Sequence, residues 1–200
     1  MTEALPIPAT ALLPLVVFPL GVPAEESDGG ITFDAVGASY GNNIIFLFMG
    51  GFMLALAMQR WNLHRRIALA TLARVGVQPR RIVLGLMLAT GFLSMWVSNT
   101  ATTLMMLPIG LSVITMLTGE NKTSETDRER FATALLLAIA YAASLGGIAT
   151  LIGTPPNALL AAFLADNYDV QIGFGQWMLL GVPVSAMMLI FTWWWLTRGG

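Results

Sequence analysis

The segment SMWVSNTATTLMM, residues 94–106, places a dense run of hydroxyl and amide side chains inside one of the most apolar parts of the chain. Ser94, Ser98 and Asn99 offer neutral oxygen atoms, and a tight turn here would also expose main-chain carbonyls. Such oxygens suit Na⁺, while the N–H groups of a helix beginning at Thr100 favour an anion. The segment therefore predicts a cation and an anion side by side. The competing interpretation is that these side chains only hydrogen-bond neighbouring helices.

A second interruption is predicted in GGIATLIGTPPN, residues 146–157. Paired glycines and paired prolines disfavour a continuous helix, so we expect it to unwind near Gly146 and Gly147 and resume after the prolines. A carbonyl of either glycine would then be available to Na⁺, opposite Thr154 and Asn157. A proline-kinked span without a site is the alternative. The residues assigned to this broken-helix motif are Gly146, Gly153, Thr154, Pro155, Pro156 and Asn157.

The composition places the chain in a lipid bilayer. Of its 200 residues 56% are hydrophobic and 10% are charged, whereas soluble domains have roughly 25% charged residues. The net charge of -1 gives no basis for nucleic-acid binding, and the lack of cysteine with a single histidine excludes disulfides, thiolate chemistry and a zinc centre. We therefore predict an all-α polytopic protein of the cell (inner, cytoplasmic) membrane that is not an enzyme.

The basic residues predict how the chain crosses the membrane. All ten Lys and Arg residues lie in three places, at residues 60–81, at residues 122–130 and at residue 198, which the positive-inside rule assigns to the cytoplasm. The segment 82–117 then enters and leaves by the same side, as a re-entrant hairpin with SNT at its tip. Its first arm, about 13 residues or ~20 Å of helix, is shorter than a hydrocarbon core of ~30 Å.

Three parts of the chain are predicted from this pattern. Residues 1–81 form scaffold-type transmembrane helices and a cytoplasmic interfacial helix, residues 82–165 form the hairpin and the discontinuous helix, and residues 166–200 form the last transmembrane helix. No charged or histidine side chain falls within the apolar stretches at residues 9–22, 43–58, 82–94, 101–117, 131–164 and 177–196. Proton-coupled carriers use such groups, so Na⁺ is the favoured coupling ion.

Four motifs follow one another along the chain: TEALPIPATALLPL, IIFLFMGGFMLALAMQRWNLHRRIAL, SNTAT and GGIATLIGTPPN. In sequence and order they resemble those of the divalent anion:sodium symporters, carriers of succinate, citrate and related dicarboxylates. The resemblance implies one of two inverted repeats, each with a re-entrant hairpin, in a homodimer whose transport domain moves like an elevator. It implies a sodium site at Ser94, Ser98, Asn99 and Gly147, and contact of a substrate carboxylate with Asn99 and Thr100.

The resemblance covers a single repeat, because family members are more than twice as long and carry a second SNT hairpin. We therefore expect a fragment or truncated form that contains the first-repeat half of a sodium-coupled dicarboxylate or citrate carrier. The alternative function is a non-transporting membrane scaffold or regulatory partner of full-length carriers. Pairing of two such chains in opposite orientations is disfavoured by the basic bias to one side.

Overall fold

The computed structural model describes residues 5–21, 31–76, 78–118 and 124–198, and these ranges contain helices and no strands. The first five helices in chain order are α1 Ile7–Thr10, α2 Leu13–Gly21, α3 Phe33–Tyr40, α4 Asn43–Arg60 and α5 Leu63–Val75. They are followed by α6 Pro79–Ser94, α7 Asn99–Thr118, α8 Glu125–Gly147, α9 Pro155–Tyr168 and α10 Phe174–Thr197. The all-α prediction is confirmed for the described part of the chain.

Four helical stretches are long and apolar enough to cross a membrane, among the residues that the structure describes. They are Phe33–Arg60, Asn99–Leu117, Glu125–Gly147 and Phe174–Thr197, and a shorter apolar helix runs over Pro8–Gly21. Apolar side chains remain exposed on these helices, for example Leu104 and Leu179. That distribution fits helices whose outer faces meet lipid, and it supports a multi-pass membrane protein.

The chain divides into two compact units, of which Met1–Met49 is the smaller. Within it, the phenolic hydroxyl of Tyr40 donates a hydrogen bond to the Ala11 carbonyl at 2.6 Å. The Thr32 hydroxyl caps α3 by accepting from the Ala35 N–H at 3.1 Å, which satisfies one of the N–H groups left free at a helix start. The first contact joins the end of α3 to the connection between α1 and α2, and the second fixes the start of α3.

The second unit, Gly50–Gly200, holds the core. Its wholly buried side chains include Leu86 and Leu93 on α6, Met106 on α7, and Leu135 and Ile139 on α8. Helix α5 carries several arginines and covers one side of α6 with the fully buried Ala68. A helix was predicted in this connection, and α5 occupies it.

Helices α6 and α7 run antiparallel, as the contacts at their two ends establish. Near the connection, Ser94 and Asn99 both meet the C-terminal part of α8. At the far ends, Pro79 and Leu117 line one cavity of about 830 Å³ with Phe131 from the N-terminal part of α8. The connection at residues 95–98 is therefore the end of a two-helix hairpin that packs along α8.

Candidate functional site

The turn between α6 and α7 begins directly after a buried serine. Helix α6 ends at Ser94, and α7 begins at Asn99, one residue earlier than predicted. The reason is Ser98, whose hydroxyl accepts from the Ala101 N–H at 3.3 Å and whose carbonyl accepts from the Thr102 N–H at 2.9 Å. Ser98 thus occupies the N-cap position, and Asn99 opens the helix.

Ser94 lies at the centre of a cluster of three oxygen atoms. Its side-chain oxygen is 2.6 Å from the carbonyl oxygen of Ala143 on α8 and 2.8 Å from the Oδ1 atom of Asn99. A serine hydroxyl has one proton, so Ser94 donates to only one of these acceptors. The other oxygen–oxygen contact is accounted for in one of two ways. Either the Asn99 amide is turned so that its Nδ2 group donates to Ser94, or a cation lies among the oxygens. We call Ser94 Oγ, Asn99 Oδ1 and the Ala143 carbonyl oxygen the oxygen cluster.

Gly147 brings the end of α8 against this cluster. A Cβ atom at Gly147 would collide with Asn99 Oδ1 and would lie 3.0 Å from the Asn99 Cγ and Nδ2 atoms. Only a glycine leaves room for the amide there. Gly146 serves a second close approach, because a Cβ there would lie 2.6 Å from the Gly91 Cα of α6. Predicted residues from the turn and from the broken helix therefore meet at one place.

The break lies at residues 148–154, between α8 and α9, and Asn157 spans it. The Asn157 side-chain Nδ2 donates to the carbonyls of Gly147 at 2.9 Å and Thr150 at 2.7 Å. Gly153 packs directly on the Gly147 carbonyl, where a Cβ atom would collide. Asn157 was predicted to line the wall of the site, and the structure assigns its amide nitrogen to bracing the unwound backbone.

The two prolines begin α9 and do not precede it. Pro155 and Pro156 are exposed in its first turn, and the half-buried Thr154 occupies the N-cap position without a side-chain cap hydrogen bond. Proline is tolerated there because the first N–H groups of a helix have no intrahelical partner. The prolines thus fix where the helix resumes without facing the oxygen cluster in any described contact.

Three more side chains hold the turn and the break, and no local sequence pattern predicts their contacts. The Thr150 hydroxyl donates to the Met95 carbonyl at 2.5 Å and joins the break to the turn. From α10, Trp177 Nε1 donates to the Ile148 carbonyl at 2.9 Å, and the Ser185 hydroxyl donates to the Leu145 carbonyl at 2.8 Å. The partners are 55, 29 and 40 residues apart in the chain. Carbonyls freed by the end of α8 are thereby satisfied within protein.

The predicted site residues range from buried to exposed. Ser94 and Gly147 are buried, Asn99 is half-buried, and Ser98 and Thr100 are exposed at the start of α7. The site thus consists of neutral oxygens behind an accessible helix N-terminus, where the helix dipole favours negative charge. This arrangement suits a small cation held by oxygens and an anion beside it.

Comparison with known proteins identifies related transporters. The family model described as "Citrate transporter" (CitMHS) matches residues 1–199. The sodium-dependent dicarboxylate transporter SdcS of Staphylococcus aureus strain USA300 is 47% identical over 195 residues, which is 96% of this chain and 36% of that transporter. The same transporter from strains NCTC 8325 / PS 47 and COL has the same identity and coverage.

These matches extend along nearly the whole chain, which itself spans about a third of the length of the curated relatives. The family and the relatives are transporters and not enzymes, in agreement with the prediction from the sequence. The resemblance noted on the sequence motifs is confirmed as well.

Proposed function

The chain belongs to the citrate transporter family, and we propose that it carries the first-repeat half of a site for sodium-coupled symport of di- or tricarboxylates such as succinate or citrate. The observation that carries this proposal is the contact of Asn99 with both Ser94 and Gly147. The 47% identical relative is a sodium-dependent dicarboxylate transporter, which supports both the ion and the substrate class.

The sodium site is formed by Ser94, Ser98, Asn99 and Gly147. Three oxygen atoms with one proton among them, at Ser94, Asn99 and Ala143, favour the entry of a cation. The Gly147 carbonyl accepts from Asn157 and keeps a second lone pair. Binding of Na⁺ would replace the hydrogen bonds between these oxygens by bonds to one ion and would order the turn.

The substrate carboxylate binds at Asn99 and Thr100, in the first turn of α7. Thr100 is exposed there, and the positive end of the helix dipole attracts the anion. A bound Na⁺ nearby lowers the free energy of placing a dianion in a site of low dielectric constant. Cation and anion thus bind in a coupled way, which is the physical basis of symport.

The membrane arrangement follows from the charged end of the second unit. Arg80, Arg128 and Arg130 line the cavity at the far end from the turn, so the positive-inside rule places that end in the cytoplasm of an inner-membrane protein. Helices α6 and α7 then form a re-entrant hairpin whose tip lies within the bilayer. The 16 residues of α6 span about 24 Å, less than a hydrocarbon core of ~30 Å, although α7 alone is long enough to cross. Residues 82–165 belong to the moving transport part of an elevator-type homodimer, with scaffold helices in residues 1–81 and a last span in residues 166–200.

A second candidate is a scaffold or regulatory partner that binds full-length carriers without transport. The observation in its favour is that the Ser94 and Thr150 hydroxyls already donate to carbonyls of neighbouring elements. In that case the polar turn acts only as contact between helices. The two candidates differ in whether Na⁺ changes the turn.

Hydrogen–deuterium exchange of the chain in lipid nanodiscs separates them. We expect 100 mM NaCl, but not KCl, to slow exchange in peptides that cover the turn and the break, because Na⁺ ties both segments together. Asn99→Ala should abolish the difference, and Asn167→Ala, an exposed asparagine on α9, should leave it intact. Equal exchange in both salts contradicts the transport proposal and favours the scaffold.

A transport assay tests the half-site part of the proposal. We expect no sodium-driven succinate uptake into proteoliposomes that contain this chain alone, since the second repeat supplies the rest of the site. Sodium-dependent uptake that Asn99→Ala abolishes would mean instead that this chain assembles a complete carrier.

A further inference from the structure

Thr102 has a buried hydroxyl that makes no hydrogen bond. The residue is fully buried in α7, and its Oγ1 atom has no partner. An unsatisfied hydroxyl is unfavourable in a protein interior, and native structures avoid it unless a ligand or function compensates. The Thr102 main chain is regular, because its N–H donates to the Ser98 carbonyl at 2.9 Å. The exception therefore concerns the side chain alone.

Two other threonines of the hairpin, Thr90 and Thr103, donate their hydroxyls to the carbonyl four residues earlier in the same helix. Thr90, also fully buried, donates from its hydroxyl to the Leu86 carbonyl at 2.6 Å. Thr103, the next residue after Thr102, donates to the Asn99 carbonyl at 2.8 Å. Thr102 makes no equivalent bond to the carbonyl four residues earlier, so its hydroxyl is available to a ligand.

The position of Thr102 on α7 puts it one helical turn from the oxygen cluster. Residues three apart are neighbours on a helix, so Thr102 lies beside Asn99, whose Oδ1 atom belongs to the cluster. Thr102 and Met106, one turn further on, are both fully buried, so this face of α7 is packed inside the protein.

We propose that the Thr102 hydroxyl is a further oxygen ligand of the cation at the oxygen cluster, beyond the residues assigned to the sodium site above. This inference rests on the proposed function. Oxygen atoms around a cation of this size lie about 2.4 Å from it, as they do around Ca²⁺, so two ligands of one ion can be farther apart than a hydrogen bond allows. A buried hydroxyl without a hydrogen bond beside three other oxygens fits such a ligand.

The test compares two buried threonines by thermal unfolding of the chain in detergent, titrated with NaCl at constant ionic strength in KCl. Thr102→Val keeps the shape and removes the oxygen, while Thr102→Ser keeps the oxygen. Thr90→Val is the matched control, because Thr90 is equally buried but already hydrogen-bonded. The readout is the sodium concentration at half-maximal stabilisation, together with the unfolding temperature without Na⁺.

We expect Thr102→Val to bind Na⁺ about tenfold more weakly or worse, as for loss of a contact to a charged group. The same variant should unfold at a higher temperature than the wild type without Na⁺, because an unsatisfied hydroxyl has been removed. Thr102→Ser should retain sodium stabilisation, and Thr90→Val should lose stability without a change in sodium affinity.

Two results would overturn the inference. The first would contradict only the role of Thr102, and the second would also contradict the proposed sodium site. Unchanged sodium affinity in Thr102→Val, with a wild-type protein that responds to Na⁺, overturns the role of Thr102 alone. A wild-type protein that shows no sodium-specific stabilisation overturns the proposed sodium site together with this inference.

Discussion

The two interruptions of the helical bundle, the turn at residues 95–98 and the break at residues 148–154, are built in different ways. In the break, Ala149, Thr150 and Leu151 are buried, and side chains of Asn157 and Trp177 satisfy its carbonyls. In the turn, Ser98 is exposed and its hydroxyl makes only a long N-cap contact. The break is thus held by side chains of neighbouring helices, whereas the Ser98 hydroxyl of the turn has few restraints, as the proposed role in Na⁺ binding requires.

This comparison predicts that substitutions in the break lower stability and that substitutions in the turn lower the response to Na⁺. The largest loss of stability is expected for Asn157→Ala, which leaves the carbonyls of Gly147 and Thr150 without their side-chain donor. We expect about 3 kcal/mol, since each buried group left unsatisfied costs ~1–3 kcal/mol. Asn167→Ala, which removes an exposed amide on the same helix, should cost far less in thermal or denaturant unfolding.

Gly147→Ala should have the next largest effect, because Gly147 directly precedes the break and lies against Asn99, which directly follows the turn. The new methyl group displaces the Asn99 amide, and the strain of overpacking costs about 2 kcal/mol. Sodium stabilisation should disappear as well. Gly50→Ala is the control, since a Cβ there meets nothing within 4 Å and the change should be neutral or slightly stabilising. Equal behaviour of the two variants would contradict the close approach at Gly147.

Thr150→Val removes the bond between the break and the turn at the Met95 carbonyl. We expect a loss of about 1 kcal/mol, in the range of single hydrogen bonds between membrane helices. Faster hydrogen exchange should extend across both segments, because they no longer support each other. Thr115→Val, an exposed threonine bonded within its own helix, should leave exchange at the turn unchanged.

Ser98→Ala should have the smallest effect on stability and still weaken sodium binding. Loss of an exposed N-cap costs about 0.5 kcal/mol at the low end of such substitutions. The sodium midpoint in the unfolding titration should nevertheless rise, while Ser112→Ala, an exposed serine within α7, should leave it unchanged. A large loss of stability in Ser98→Ala without any change in the sodium midpoint would reverse the assignment of the two regions.

The sequence predicted the break and the turn because their determinants are local. Paired glycines at 146–147 weaken a helix through the backbone alone, paired prolines at 155–156 fit only the first turn of a helix, and Ser98 caps a helix through residues next to it. The bonds of Thr150 to Met95, Trp177 to Ile148 and Ser185 to Leu145 were missed, because they join elements distant in the chain. A single serine or tryptophan in an apolar helix carries no sign of the carbonyl that it will meet.

The role of Asn157 was not predicted either, because it depends on the folded backbone around its side chain. Its residue type and position predicted a polar group at the site, whereas the direction of its amide depends on the fold of residues 147–150 around it. The sequence thus predicted which residues lie near one another. It did not predict which hydrogen bonds each side chain makes there.

Equilibrium binding of radioactive ²²Na⁺ to the purified chain, with and without Asn99→Ala, tests the central claim most directly. Circular dichroism first verifies that both proteins are folded. We predict saturable Na⁺ binding that excess KCl does not displace, and its loss in Asn99→Ala, because Asn99 contacts both Ser94 and Gly147. Absence of saturable binding in the wild type, or equal binding in the two proteins, would contradict the account.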